Sequence, residues 1–271
     1  MKNQYFGDKR DLFKLDLWLE IAKGLGIKKH TFIPMLTPND PTKQGGQIPR
    51  EAGVYCQTIF GFLARCHEDE KRHNIKELRA FSRRQSLEYC PYRDTEYLSH
   101  DSRSAYFSSV PKEMLERAAI LIDADIGLER KRGLGRKQPE KYVTCGEIAG
   151  LAENCSGGSV ILVFQFLRGG KRLQCLNRMV DRELRLRQKL SEVLTDPPPI
   201  SWVAEGRRTS SGPLFGDVAF FIIGAGPYPA QTVSQWTRDY ADDRELLYSD
   251  GECASLRGES IGDRRQWTTD S

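Results

Sequence analysis

The residues best placed to do chemistry stand in Ile122-Asp123-Ala124-Asp125-Ile126-Gly127-Leu128-Glu129. An apolar run delivers two acids to its end, and a glycine turn follows. A carboxylate there can accept a proton or hydrogen bond from a substrate amine or hydroxyl, or ligate a divalent metal. The same acids would serve equally to cap a turn or to pair with Arg130 or Lys131.

A second dense stretch is Asn3-Gln4-Tyr5-Phe6-Gly7-Asp8-Lys9-Arg10-Asp11-Leu12-Phe13-Lys14. Amide, aromatic, glycine, acid and lysine crowd the approach to a helix, and Asp8 or Asp11 suits its N-cap. Lys14 lies one helical turn after Arg10 and reads equally well as a surface residue. Glu129-Arg130-Lys131 is a Glu-x-Lys triplet. Some metal-dependent nucleases combine that triplet with an aspartate, the carboxylates holding a divalent ion while lysine polarises phosphate. Here Asp123 and Asp125 come too soon before Glu129 for the usual adjacent strands. Cys56, Cys66, His67, His73 and Cys90 are metal-capable, but their irregular spacing lacks the closely paired ligands of structural zinc. No metal site is expected from them. The sequence holds no G-x-S-x-G elbow and no P-loop.

Elements must position these groups. Asp11–Leu25 has helical spacing through Leu12, Leu15, Leu19 and Ala22. Thr31–Leu36, Ala118–Asp123 and Ser159–Phe166 are apolar runs of strand length, as central parallel strands require. Helices are expected over Glu51–Cys66, His67–Arg84, Lys112–Arg117, Glu147–Glu153 and Leu173–Leu194, with a short strand within Phe81–Pro91. Trp202–Glu205 and Asp217–Gly224 read as the last strands. Strands alternating with helices predict an α/β, Rossmann-like three-layer sandwich, its sheet mostly parallel. Ligands of such sheets bind beyond the carboxyl ends of the strands. That points to loops Thr37–Gly46, Asp123–Gly133 and Gln165–Lys171.

The chain has 271 residues, 39% of them hydrophobic and 29% charged. No apolar run approaches the ~18 residues of a membrane span, and the start lacks a signal-peptide core. Seven cysteines, an odd number without a CxxC pair, suit reduced thiols in a cytoplasm. The net charge of +4 says less than its distribution. Leu128–Lys141 carries six basic and two acidic residues, and Arg168–Lys189 eight and two. The tail from Arg238 carries five and nine. The middle of the chain can meet phosphate, whereas the tail should repel it. Arg130, Lys131, Arg132, Arg136, Lys137, Arg168, Lys171 and Arg172 are the expected contacts to nucleic acid. A solvated helix face is the plain alternative for the second stretch.

The opening NQYFGD, the strand MLTPxD and the later D-x-D-x-G-L-E together resemble a bacterial family with KNQYFGD-type starts and a DPDNGLE-type motif. That family is similar to class I Rossmann-like methyltransferases, in particular the ribosomal-RNA adenine-N6 enzymes and the three-Cys-motif partner type. The resemblance covers roughly 1–46, 118–171 and 217–224. It implies S-adenosylmethionine as methyl donor and a final antiparallel hairpin. Asp123 would be the catalytic acid beside Asp125, with Lys14 and Asn3 brought to it by the first helix. Asn3, Tyr5, Gly7, Asp8, Thr37 and Asp40 would bind the cofactor. Three departures stand out: Ala124 replaces a proline, Ile126 replaces an asparagine, and no G-x-G-x-G follows the first strand.

The expected layout is a methyltransferase-type domain over 1–228 with a helical insertion at about 51–110. An acidic, polar appendage follows at 229–271. The expected function is methyltransferase-like, acting on or binding nucleic acid or a nucleotide. A metal-dependent nuclease using a divalent ion is one alternative, and a catalytically degenerate methyltransferase fold kept as a binding or assembly subunit is another.

Overall fold

The computed structural model describes residues 1–39, 41, 52–69, 72–131, 133–134, 138–167, 172–209, 212–226 and 230–249. Side chains at 172–174, 206–217 and 230–231 also lie outside what is described.

Among the described residues nine strands form: β1 (Lys29–Pro34), β2 (Glu88–Pro91), β3 (Ala118–Asp123), β4 (Gly127–Leu128), β5 (Tyr142–Val143), β6 (Ser159–Phe166), β7 (Ile200–Thr209), β8 (Gly212–Ala225) and β9 (Leu247–Ser249). Seven build one sheet in the order β2-β1-β3-β6-β8-β7-β9, and β4 pairs with β5 in a separate parallel ribbon. The β1–β2, β1–β3 and β3–β6 pairs are parallel. The β8 strand runs antiparallel between β6 and β7, and β9 closes the edge antiparallel to β7.

Burial explains why the inner strands read as continuous apolar runs. In β3 every residue is buried, because both faces of a parallel sheet are covered. On one face Phe32, Leu121, Leu162 and Phe220 pack against α1 (Lys9–Gly24), α2 (Gln57–Glu68), α3 (Glu77–Arg84) and α8 (Ala230–Asp243). On the other, Ile33, Ile120, Ile122, Val163 and Phe221 meet α4 (Arg103–Ser108), α5 (Lys112–Leu115), α6 (Cys145–Asn154) and α7 (Arg172–Val193). The protein is thus a three-layer α/β sandwich of Rossmann-like kind. Among the described residues no helix is long and apolar enough to cross a membrane.

The short strand expected within Phe81–Pro91 forms as β2, the sheet's outer strand beside β1, so the region 51–110 joins the sheet with that strand besides its helices. Two expectations change. Within 67–84 the helix beyond the end of α2 spans only Glu77–Arg84 among the described residues, and α2 starts at Gln57 rather than Glu51. The segment after 229 is no detached appendage as far as Ser249. Val233, Thr237, Tyr240 and Ala241 bury one face of α8, and β9 joins the sheet. Their i, i+4, i+7, i+8 spacing is helical, but polar neighbours and the acids Asp239, Asp242 and Asp243 hide it in the composition. Residues 250–271 lie outside the described residues.

Candidate functional site

The first helix starts at Lys9, two residues before the expected Asp11, and of the two N-cap candidates it uses the first. Asp8 is its N-cap, one carboxylate oxygen accepting from the backbone N–H of Arg10 at 2.8 Å and of Asp11 at 3.2 Å. Gly7 enters the turn at φ +103°. A Cβ there would approach the Leu63 carbonyl to 3.3 Å, so the glycine lets the turn lie on α2. The Gly7 N–H donates to Asp11 Oδ2 at 2.8 Å. Asp11 Oδ1 then accepts from Lys14 Nζ at 2.7 Å.

Lys14 also donates to Asp123 Oδ2 at 2.7 Å, joining residues 109 apart in the sequence. The side chains of Lys14 and Asp123 are 7% and 2% exposed. Lys14 is therefore no surface residue: its ammonium lies between two buried carboxylates and 5.1 Å from the Phe164 ring centroid. Burial disfavours that ammonium, but Asp11 and Asp123 outweigh burial and hold it above the usual lysine range. Burial raises the Asp123 carboxyl above its usual range, and the Lys14 charge offsets part of that rise.

Asp125 faces the same cleft. It follows Asp123 by two residues, the spacing that keeps side chains of an extended chain on one face, although the strand itself ends at Asp123. Its Oδ1 is 2.7 Å from the Met1 ammonium, and its Oδ2 accepts from the Thr37 hydroxyl at 2.8 Å. Burial pushes its carboxyl up, but the ammonium, Thr37 and Lys2 overcome burial and leave it below the usual range. The Met1 ammonium also donates to the Met35 carbonyl at 2.7 Å, which ties the chain start to the end of β1. The loop is pinned from behind by Gln165, fully buried in β6. Its amide donates to the carbonyls of Ile126 at 2.9 Å and Phe166 at 2.8 Å, and its Oε1 accepts from Leu128 N–H at 3.1 Å. Gly127 turns at φ +107°, and a Cβ there would stand 2.6 Å from the Phe164 carbonyl. Only glycine fits that approach.

These groups line a cleft of about 70 Å³ among Met1, Lys2, Tyr5, Asp8, Asp123 and Asp125. Asp8 is its titratable member near neutrality. Burial, then the neighbouring Asp11 charge, lifts its carboxyl to about 6 against the opposing pull of Lys14 and Arg10. Such a carboxyl can exchange a proton at physiological pH.

Other expected site residues are placed differently. Asn3 does not sit beside Asp123: its carbonyl oxygen accepts from Ile75 N–H at 3.2 Å, in the turn before α3. Gly7 serves packing on α2. Glu129 is turned from the cleft, its carboxylate accepting from Cys145 N–H at 3.1 Å at the start of α6. Arg130 and Lys131 are exposed, and Arg130 lies 5.8 Å over the Tyr142 ring. Asp40, Arg132, Arg136, Lys137, Arg168 and Lys171 lie outside the described residues, as does the Arg172 side chain. Among the described residues no three His, Cys, Asp or Glu side chains gather as a metal site. Two contributors escaped the sequence reading. Asp11 is signalled only by its i, i+3 spacing to Lys14, and Gln165 only as the amide inside the apolar run SVILVFQF.

No protein-family model matches the chain, and no curated protein matches it.

Proposed function

We propose that the chain is a methyltransferase-like protein acting on or binding nucleic acid or a nucleotide, with a base amino group presented to Asp123. The observation that carries this reading is the meeting of two distant motifs. The NQYFGD stretch and the helix it opens supply Asp8, Asp11 and Lys14, and the D-x-D-x-G-L-E stretch supplies Asp123 and Asp125, to one cleft. The cleft opens beyond the carboxyl end of a central parallel strand, where α/β folds take ligands. The antiparallel β8 between β6 and β7 agrees with the hairpin that the family resemblance implies. Asp123 Oδ2 holds Lys14, and its second oxygen has lone pairs for a target amine.

S-adenosylmethionine is the methyl donor this reading calls for. Tyr5 and Asp8 line the cleft, and Thr37 bonds Asp125. The described residues do not by themselves form its cradle. The cleft's volume is below the several hundred Å³ of ligand pockets. Met35 and Leu36, which follow β1, are buried where a glycine-rich turn would stand. These side chains alone therefore support no methyl-transfer step. Those same facts favour the second reading, a methyltransferase fold kept as a binding or assembly subunit. The nuclease reading loses its third carboxylate to the start of α6. A cytoplasmic setting belongs to this reading, in keeping with six described cysteines as free thiols.

Titration calorimetry with S-adenosylmethionine separates the two. A saturable heat, with transfer of labelled methyl to RNA or DNA, is the result that the methyltransferase reading requires. Asp123→Asn should then keep the heat and lose about 10²-fold or more of transfer, because it exchanges an acceptor oxygen for a donor. Absence of any heat would reject the methyl donor and leave the binding subunit.

A further inference from the structure

On the face of the sheet opposite α1, helix α7 carries Arg178, Arg182 and Arg185 at i, i+4 and i+7, one stripe of the helix. The stripe faces the β4–β5 corner. Arg185 Nη2 donates to the Glu129 carbonyl at 3.1 Å, and its Nε to Asp181 Oδ2 at 3.2 Å. Arg178 Nη2 donates to Cys175 Sγ at 3.2 Å. Arg182 stands between them. Its Nε is sealed from solvent and donates to no described group. Burial, then the charges of Arg185 and Arg178, pulls its guanidinium down to about 10, with Asp181 and Tyr142 opposing. Across the corner Arg130 lies over Tyr142.

Four guanidiniums thus gather near two carboxylates, and both carboxylates are engaged. Asp181 is bonded to Arg185, and Glu129 accepts from Cys145 N–H. A half-buried guanidinium with an unsatisfied donor, crowded by like charge, is unfavourable in the free protein. An anion with several oxygens offsets the crowded like charge, and the planar fork of arginine matches phosphate. We propose that Arg178, Arg182, Arg185 and Arg130 form a cradle for a backbone phosphate of a nucleic-acid strand. This rests on the nucleic-acid reading above and adds three residues of α7 to it. The chain runs from Asp125 at the cleft to Arg130 in five residues, at most about 18 Å. A strand with one base at the cleft covers that distance in about five steps of ~3.4 Å.

The test is fluorescence anisotropy of a labelled single-stranded oligonucleotide over a salt series, on the full chain and on Arg182→Met. Inorganic phosphate and pyrophosphate serve as competitors. Arg182→Met should weaken binding about tenfold and lower the log–log salt slope by about 0.7, one phosphate on a single strand. Arg182→Lys, which keeps the charge and loses the fork, should fall between. Arg84→Met, on exposed α3, should leave the slope unchanged. Thermal unfolding gives the second readout: Arg182→Met should hold or raise the melting temperature, since it removes an unpartnered buried donor. An unchanged slope in Arg182→Met overturns the proposal, as does a wild-type chain that binds no oligonucleotide. Loss of binding with a lowered melting temperature also overturns it, since that marks a structural role. If pyrophosphate binds through Arg182 and the oligonucleotide does not, the strand is refuted as the source of the phosphate. Calorimetry with S-adenosylmethionine on the same proteins keeps the two readings apart. Oligonucleotide binding through Arg182 without a methyl-donor heat upholds the cradle and rejects the methyltransferase; the reverse pattern rejects the cradle alone.

Discussion

Replacing Lys14 by Met removes the ammonium shared by Asp11 and Asp123 and keeps most of the side chain's volume. Each pair is 2.7 Å long. At an effective dielectric of about 20, Coulomb's law gives about 6 kcal/mol for each. Most of that gross attraction offsets the desolvation of the three ions, several kcal/mol apiece. Removing only the cation leaves the carboxylates buried and opposed to one another. The expected destabilisation is about 3–5 kcal/mol at pH 7. The deficit must depend on pH. Without Lys14 the folded-state pKa of Asp123, already raised by burial, rises further above its unfolded value near 4. The folded variant then binds more protons than its unfolded chain above pH 4, so its stability falls as pH rises through that window. Urea denaturation of both proteins at pH 5 and pH 7 measures this. The gap should be wider at pH 7, and Lys14→Met/Asp123→Asn should recover part of it. A deficit below about 1 kcal/mol, or one equal at both pH values, would refute the shared-ammonium account.

The remaining predictions concern neighbouring devices. The Asp8 carboxyl, lifted from 3.8 to about 6, stabilises the fold by about 3 kcal/mol below pH 4, and that contribution is lost as pH rises through 6. Asp8→Asn keeps an N-cap acceptor, so it should flatten the stability profile between pH 4 and 6 in urea titrations. Gly127→Ala should cost at least about 1–3 kcal/mol from its backbone angle alone, with more from the clash with β6, in the same denaturation assay. Tyr240→Phe should remove the 2.8 Å bond to the buried Asp16 carboxylate, cost about 1–3 kcal/mol, and speed amide exchange in α8 before the central strands.

The sequence by itself determined two inner strands to the residue, placed a third within two residues, and narrowed the first helix's cap to two acids. The Ala118–Asp123 and Ser159–Phe166 runs coincide with β3 and β6 at both ends. Apolar runs of that length can be buried only as central strands covered on two faces, so local composition suffices to place them. The capping acid of α1 is local too, because its partners lie two and three residues away. Tertiary structure decided the rest of the site. That Lys14 meets Asp123 depends on how α1 packs on the sheet. The periodicity of either segment carries no information about that meeting. That the loop carrying Asp125 stays against the cleft depends on Gly127 and Gln165, which redirect it beyond β3. The acidic stretch after 229 is held by contacts more than two hundred residues away. Buried Asp16 on α1 accepts from Tyr240 at 2.8 Å and from Arg244 at 3.0 Å. Composition averages over both faces of a helix and loses the buried stripe of α8. Only the fold supplies the surface that this stripe covers.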